Sequence, residues 1–111
     1  MESWGFHGGT PIDLDPDGSV TAPDGRKYRR TPERLKRANG HAAIDSGARL
    51  MTDIYPDGPY LFEGDDACAA WRQILPTLVV GQIKGEQGVI WKGHIWSADD
   101  GSRLLQVRGY H

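Results

Sequence analysis

Two runs near the C-terminal end of this 111-residue chain, IWKGHIWS and RLLQVRGY, alternate residue types in a way that could do chemistry. With the two-residue period of a strand, Val89, Trp91, Gly93 and Ile95 turn to one side and pack inward with Leu105 and Val107. Ile90, Lys92, His94, Trp96, Leu104, Gln106, Arg108 and Tyr110 fall on the other side. There Lys92 and Arg108 could neutralise phosphate, Trp96 or Tyr110 could stack on a base, and His94 could move a proton near neutral pH. Ordinary solvent faces of antiparallel sheets mix the same residue types in cross-strand pairs. Spacing puts no second acid or base beside His94, so no catalytic residue is assigned.

A second concentration is GRKYRRTPERLKR, residues 25–37, with seven of the thirteen Lys and Arg residues against a single acid, Glu33. The other residues hold six cations and fourteen acids, so the net charge of −2 conceals a basic segment set against an acidic remainder. Separation of this kind steers association with an anionic partner or joins one copy of a chain to another. On a strand, Arg26, Tyr28 and Arg30 share one face, and Lys27 and Arg29 the other. On a helix that follows, Arg34 and Arg37 are neighbours. Arg29, Arg30, Arg34 and Arg37 therefore make up a candidate cationic ridge. Cations in a first helical turn oppose the helix dipole by up to about 1 kcal/mol, an arrangement the fold alone would not select. A helix-turn-helix reading fails, because the residues upstream are turn-rich and supply no preceding helix.

Other chemistry has weaker support. Asp13-x-Asp15-x-Asp17-Gly18-x-Val20-x-x-x-Asp24 has the ligand spacing of a calcium-binding loop. Its flanks do not read as helices, and Pro16 pushes Asp15 toward extended geometry, so the expectation is a hairpin with hydrated acids and no metal. His7, His41, His94 and His111 lack zinc spacing, and Cys68 reads as a small core thiol. GxSxG, P-loop and GxGxxG patterns are absent from the sequence, and no cofactor is expected.

The elements that must position these groups follow from turns and periodicity. DPDGS, APDGR, YPDGP and ADDGS each suit a tight turn, with Pro fixing one φ and Gly accepting a positive one. PIDLD, SVTA and RKYRR read as short strands of a meander. Thr31-Pro32-Glu33 reads as a helix start and Asn39-Gly40 as its end, with a short helix or kinked continuation through Ile44, Ala48 and Met51. ARLMTDIY and PYLFE form a hairpin. Asp65 or Asp66 caps a helix with Ala67, Ala70, Trp71 and Ile74 on one face, ending near Pro76. The remainder is a three-stranded antiparallel meander. The prediction is one α+β domain spanning 1–111.

With 38% apolar and 25% charged residues the chain has ordinary globular composition, and no apolar run reaches the ~18 residues of a membrane span. It should bury roughly two-thirds of its unfolded surface. A lone cysteine and an N-terminus without a visible secretory signal point to the cytoplasm or a phage particle, and the Arg, Gly, Ala and Asp usage suits a GC-rich bacterial or phage source. Four tryptophans exceed what a core of this size requires, and Trp96, on the mixed face, reads as an interface anchor. The expectation is a non-enzymatic protein-interaction module, such as an inhibitor, immunity-type or particle-assembly protein, that binds a protein partner or itself. The alternative is a nucleic-acid binder or small metal-independent ribonuclease. It would use Arg29, Arg30, Arg34 and Arg37 together with Lys92, His94, Trp96, Arg108 and Tyr110. Neither reading involves a membrane or a small-molecule substrate.

Overall fold

The computed structural model describes residues 9–54, 58–75, 78–79, 82–84 and 90–110, except for the side chains of 54, 78–79, 82–84, 90–91 and 110. The first half runs β1 (Thr10–Pro11), β2 (Val20–Thr21), β3 (Lys27–Arg34), α1 (Arg37–Asp45), β4 (Arg49–Ile54) and β5 (Gly58–Phe62). The second half runs α2 (Gly64–Ile74), β6 (Leu78–Val79), β7 (Gln82–Lys84), β8 (Ile90–Ser97) and β9 (Arg103–Tyr110). The fold is α+β, as the sequence predicts, with more strands than the sequence reading counts.

One mixed sheet carries the order β1-β5-β4-β9-β8-β3-β2. Its parallel pair is β4 with β9, joining the first half of the chain to the last strand. The long strand β8 lies against β9 along its whole length. Its other edge is shared, with β7 opposite Ile90–Lys92 and β3 opposite His94–Ser97.

Strand alternation divides the core in two. Leu50, Phe62, Ile95, Leu105 and Val107 meet Ala43, Ile44, Ala67, Ala70, Trp71 and Ile74 of the two helices on one face, and half-buried Cys68 packs against them. On the opposite face Met51, Leu61, Trp96 and Leu104 lie under Val20, Ala22 and Tyr28 from the turn-rich N-terminal segment. The predicted inward stripe of α2 is buried in full, although Glu63 holds the N-cap position, without a side-chain capping bond, and Asp65 and Asp66 lie in the first turn.

Three of the Asp-Gly strings close hairpins by the same device. In DPDGS, APDGR and ADDGS the Gly N–H donates to the carbonyl three residues back at 2.9, 2.9 and 3.0 Å. The glycines take φ of 85°, 92° and 88°. The Asp before each Gly accepts the N–H two residues on, in Ser19, Arg26 and Ser102. This is the three-residue hairpin, a turn followed by a left-handed glycine. Residues 55–57 of YPDGP lie outside the described part, but β4 and β5 pair on either side of it.

The region 31–40 departs from the sequence reading. Thr31-Pro32 starts no helix and instead lies inside β3. Arg30 stands opposite Trp96 and Arg34 opposite His94, so four steps of β3 match two of β8. Thr31 Oγ1 donates to the Ile95 carbonyl at 2.8 Å and accepts the Glu33 N–H at 3.2 Å, which stabilises the bulge. Pro32, with no N–H to give a ladder, is accommodated there. Pairing resumes with Leu35 N–H donating to the Gly93 carbonyl at 3.1 Å. The helix begins two residues later, where Asn39 Oδ1 accepts the Lys36 N–H at 2.7 Å. Asn39 thus caps the start of α1, and Gly40 sits within the helix because a Cβ there would lie 2.4 Å from the Trp71 ring.

Candidate functional site

Among the described residues, the N-terminal segment covers only part of the side of the sheet away from the helices. Beyond that cover, the registers align cations in successive rows. Arg30 of β3 pairs with Trp96, Arg34 of β3 and Gln106 of β9 flank His94, and Arg108 of β9 pairs with Lys92. The bulge in β3 makes this possible. By taking up two extra residues it sets Arg34 opposite His94, in the row next to that of Arg30. Arg30, Arg34 and Lys92 are exposed, whereas His94 and Arg108 are half-buried.

His94 sits at the middle row. Desolvation first, and then the positive charges of Arg30, Arg34, Arg108 and Lys92, hold its pKa below the ordinary imidazole value of 6.5. Its Nδ1 is shut in without a hydrogen-bond partner, which leaves Nε2 as the nitrogen able to meet a ligand. Asp53 on β4 is in register with Arg108, and its Oδ2 accepts from Arg108 Nε at 3.0 Å. Below this row Trp96 Nε1 donates to Gln106 Oε1 at 2.8 Å, both side chains being buried.

The predicted residues therefore separate into groups. Arg30, Arg34, Lys92, His94 and Arg108 come together on one face. Trp96 belongs to the same row but is only 4% exposed, enclosed by Val20, Tyr28, Met51 and Leu104, so it offers no ring for stacking. That corrects the expectation of a surface anchor, and the covering hairpin is the reason. The side chain of Tyr110 lies outside the described residues, as do those of Trp4 and Trp91. Arg29 turns to the other side of β3 and lies 3.7 Å from Asp17, a carboxylate that also holds Lys27 at 3.0 Å. Arg37 stands at the start of α1, where Nη2 donates to the Leu75 carbonyl at 3.4 Å. The continuous ridge anticipated from residues 29–37 is divided between two sides of the molecule.

Part of the charge separation is neutralised within the chain. Arg26 pairs with Asp24 and Asp100, at 3.7 and 3.1 Å. Arg49 binds both carboxylate oxygens of Asp24, pairs with Glu63 at 2.9 Å and stacks over the Tyr28 ring at 6.0 Å. Arg26, Arg49 and Arg103 line a cleft of about 390 Å³ between the end of α1 and the 98–102 turn. Each of these guanidiniums already meets a carboxylate, that of Arg103 being Glu33 at 2.9 Å. The calcium-like string is likewise occupied. Ser19 Oγ donates to Asp15 and Asp17, at 3.0 and 2.6 Å, and Thr21 Oγ1 to Asp15 at 2.6 Å. No group of three or more metal-ligating side chains occurs among the described residues.

The contribution of Asp53, the buried Gln106 beneath the face and the bulge at Pro32 were not singled out from the sequence. A proline inside a basic, otherwise strand-like run was the available signal for the last. Among the described residues no helix is long and apolar enough to cross a membrane. No protein-family model matches the chain, and neither a curated protein nor a solved structure shows significant similarity to it.

Proposed function

We propose that this domain is a non-enzymatic interaction module that binds an anionic macromolecular partner through the sheet face centred on His94. One observation carries the reading: Arg30, Arg34, Lys92 and Arg108 all raise the positive potential felt by a half-buried imidazole. Gathering like charges around a group that desolvation already disfavours as a cation works against folding, and an anionic ligand relieves that repulsion. The apolar alternative has less to work with. Among the described residues Leu14, at 50%, is the large hydrophobic side chain left exposed, so affinity comes from charge. Binding fits this face better than proton-transfer catalysis, because Asp53 lies on β4, two strands from His94, and is already engaged by Arg108.

The test is fluorescence anisotropy of labelled single-stranded RNA and labelled poly-glutamate, titrated with the protein at ~50 and ~200 mM salt. At least one probe should bind at the lower salt and weaken strongly at the higher. The double variant Arg30→Glu/Arg34→Glu should abolish binding, and Arg72→Glu on the exposed side of α2 should leave it unchanged. Failure of both probes to bind, or equal loss in Arg72→Glu, overturns the reading.

A further inference from the structure

Resting on the reading of this face as an anion-binding surface, we propose that its occupant is the phosphodiester backbone of a single-stranded nucleic acid. The strand would lie along β8, with successive phosphates at Arg30, at Arg34 with His94, and at Lys92. The registers place Arg30 opposite Trp96 and Arg34 opposite His94, and Lys92 follows two residues before His94 on β8. Rows two residues apart along a strand are separated by about 6.6 Å. That is the order of the step between consecutive phosphates in an extended single strand. A duplex presents its two phosphate strands across a groove about 12 Å wide, so a single line of cations would meet only one of them.

The chemistry of each row fits the same ligand. Arg30 and Arg34 carry planar guanidiniums suited to paired phosphate oxygens, and Lys92 supplies a point charge. In the middle row Nδ1 of His94 is enclosed without a hydrogen-bond partner, so a phosphate would meet this ring at Nε2. Arg108 is fixed by Asp53 and adds potential from the next strand. Trp96 is covered and offers no ring to stack on bases. The proposed contact is with the backbone, and binding should tolerate any sequence.

The experiment measures anisotropy of 12-nucleotide single strands of several base compositions, the corresponding duplex, and poly-glutamate over a series of salt concentrations. Single strands should bind better than duplex or poly-glutamate, with little dependence on base. The slope of log affinity against log salt should be about −2, since three phosphates release about 0.7 counterion each. Arg30→Gln and Lys92→Gln should each make the slope shallower by about 0.7. Circular dichroism of each variant separates loss of binding from loss of fold. Salt-sensitive binding of poly-glutamate without binding of single strands overturns this inference and leaves the broader reading standing. Preference for duplex, or a slope unchanged in both variants, also overturns it. If no polyanion binds, both fail.

Discussion

Folding places His94 in surroundings that disfavour its charged form. An isolated imidazole titrates near 6.5, but here burial and the facing cations of β3, β8 and β9 hold the pKa lower, while Asp53 on β4 is turned to Arg108. The unfolded chain then binds the proton more readily than the native one below that value. Stability associated with His94 is therefore present above pH 6.5 and is lost as pH falls through the lowered native pKa. Urea midpoints measured between pH 7.5 and 5 should decline toward acid, and His94→Gln should flatten this part of the profile. Saturating polyanion should flatten it as well, since a bound negative charge restores the imidazole pKa. An identical slope in His94→Gln would show that another group is responsible. The sequence reading selected His94, Lys92 and Arg108 by alternation alone, since period-two faces survive any sheet in which those strands pair. It misjudged Trp96, because alternation says which face a residue occupies and is silent on what covers that face.

At the scale of elements, the two glycines Gly40 and Gly93 govern how helix and strand approach. A Cβ at Gly40 would lie 2.4 Å from Trp71, and one at Gly93 would lie 2.6 Å from Leu35. In a solvent-exposed helix Gly→Ala stabilises by roughly 0.5–1 kcal/mol through propensity. At Gly40 overpacking should reverse the sign. Gly40→Ala is expected to destabilise by about 1–3 kcal/mol in chemical denaturation, with α1 displaced from α2. A gain in stability would mean that the helix pair tolerates separation. Reading Asn39-Gly40 as a helix end was reasonable from composition, since that pair commonly stops helices. Packing against Trp71, thirty-one positions further along the sequence, supplied the competing reason for a glycine. The helix start was missed for a related cause: Thr31-Pro32 has the chemistry of a helix N-terminus, yet its hydroxyl finds the Ile95 carbonyl on β8 instead.

Across the whole molecule, Arg49 links three parts of the fold. It joins the 22–26 turn through Asp24, the entry to α2 through Glu63, and β3 through Tyr28. Hydrogen bonds from Arg49 and the Arg26 backbone hold the Asp24 pKa down at about 2, and Ser19 and Lys27 lower that of Asp17 well below the carboxylate range. Carboxylates with lowered native pKa values contribute stability above their unfolded pKa of about 3.9 and lose it as pH falls further. Acid unfolding should therefore steepen between about pH 4 and 2, and Arg49→Gln should both lower stability at pH 7 and weaken this acid-dependent loss. Thermal melts across that range provide the measurement. An unchanged acid profile in Arg49→Gln would remove Asp24 from the account.

The three hairpin turns, the β4–β5 pair, the buried stripe of α2 and the two faces of β8 and β9 are written in the sequence, because each depends on residues within a few positions of one another. Glycine φ, Asp side-chain acceptors and hydrophobic period are local properties. Tertiary structure alone decided the parallel pairing of β4 with β9, the bulge that sets Arg34 opposite His94, and the burial of Trp96. It also decided which carboxylates the cations meet and which cations gather around His94. Those outcomes turn on partners distant in sequence: Ile95 for Thr31, Val20 for Trp96, Asp100 for Arg26. A run of basic residues specifies how much charge a chain carries, but the sheet register specifies where that charge converges, and convergence is what makes a binding surface.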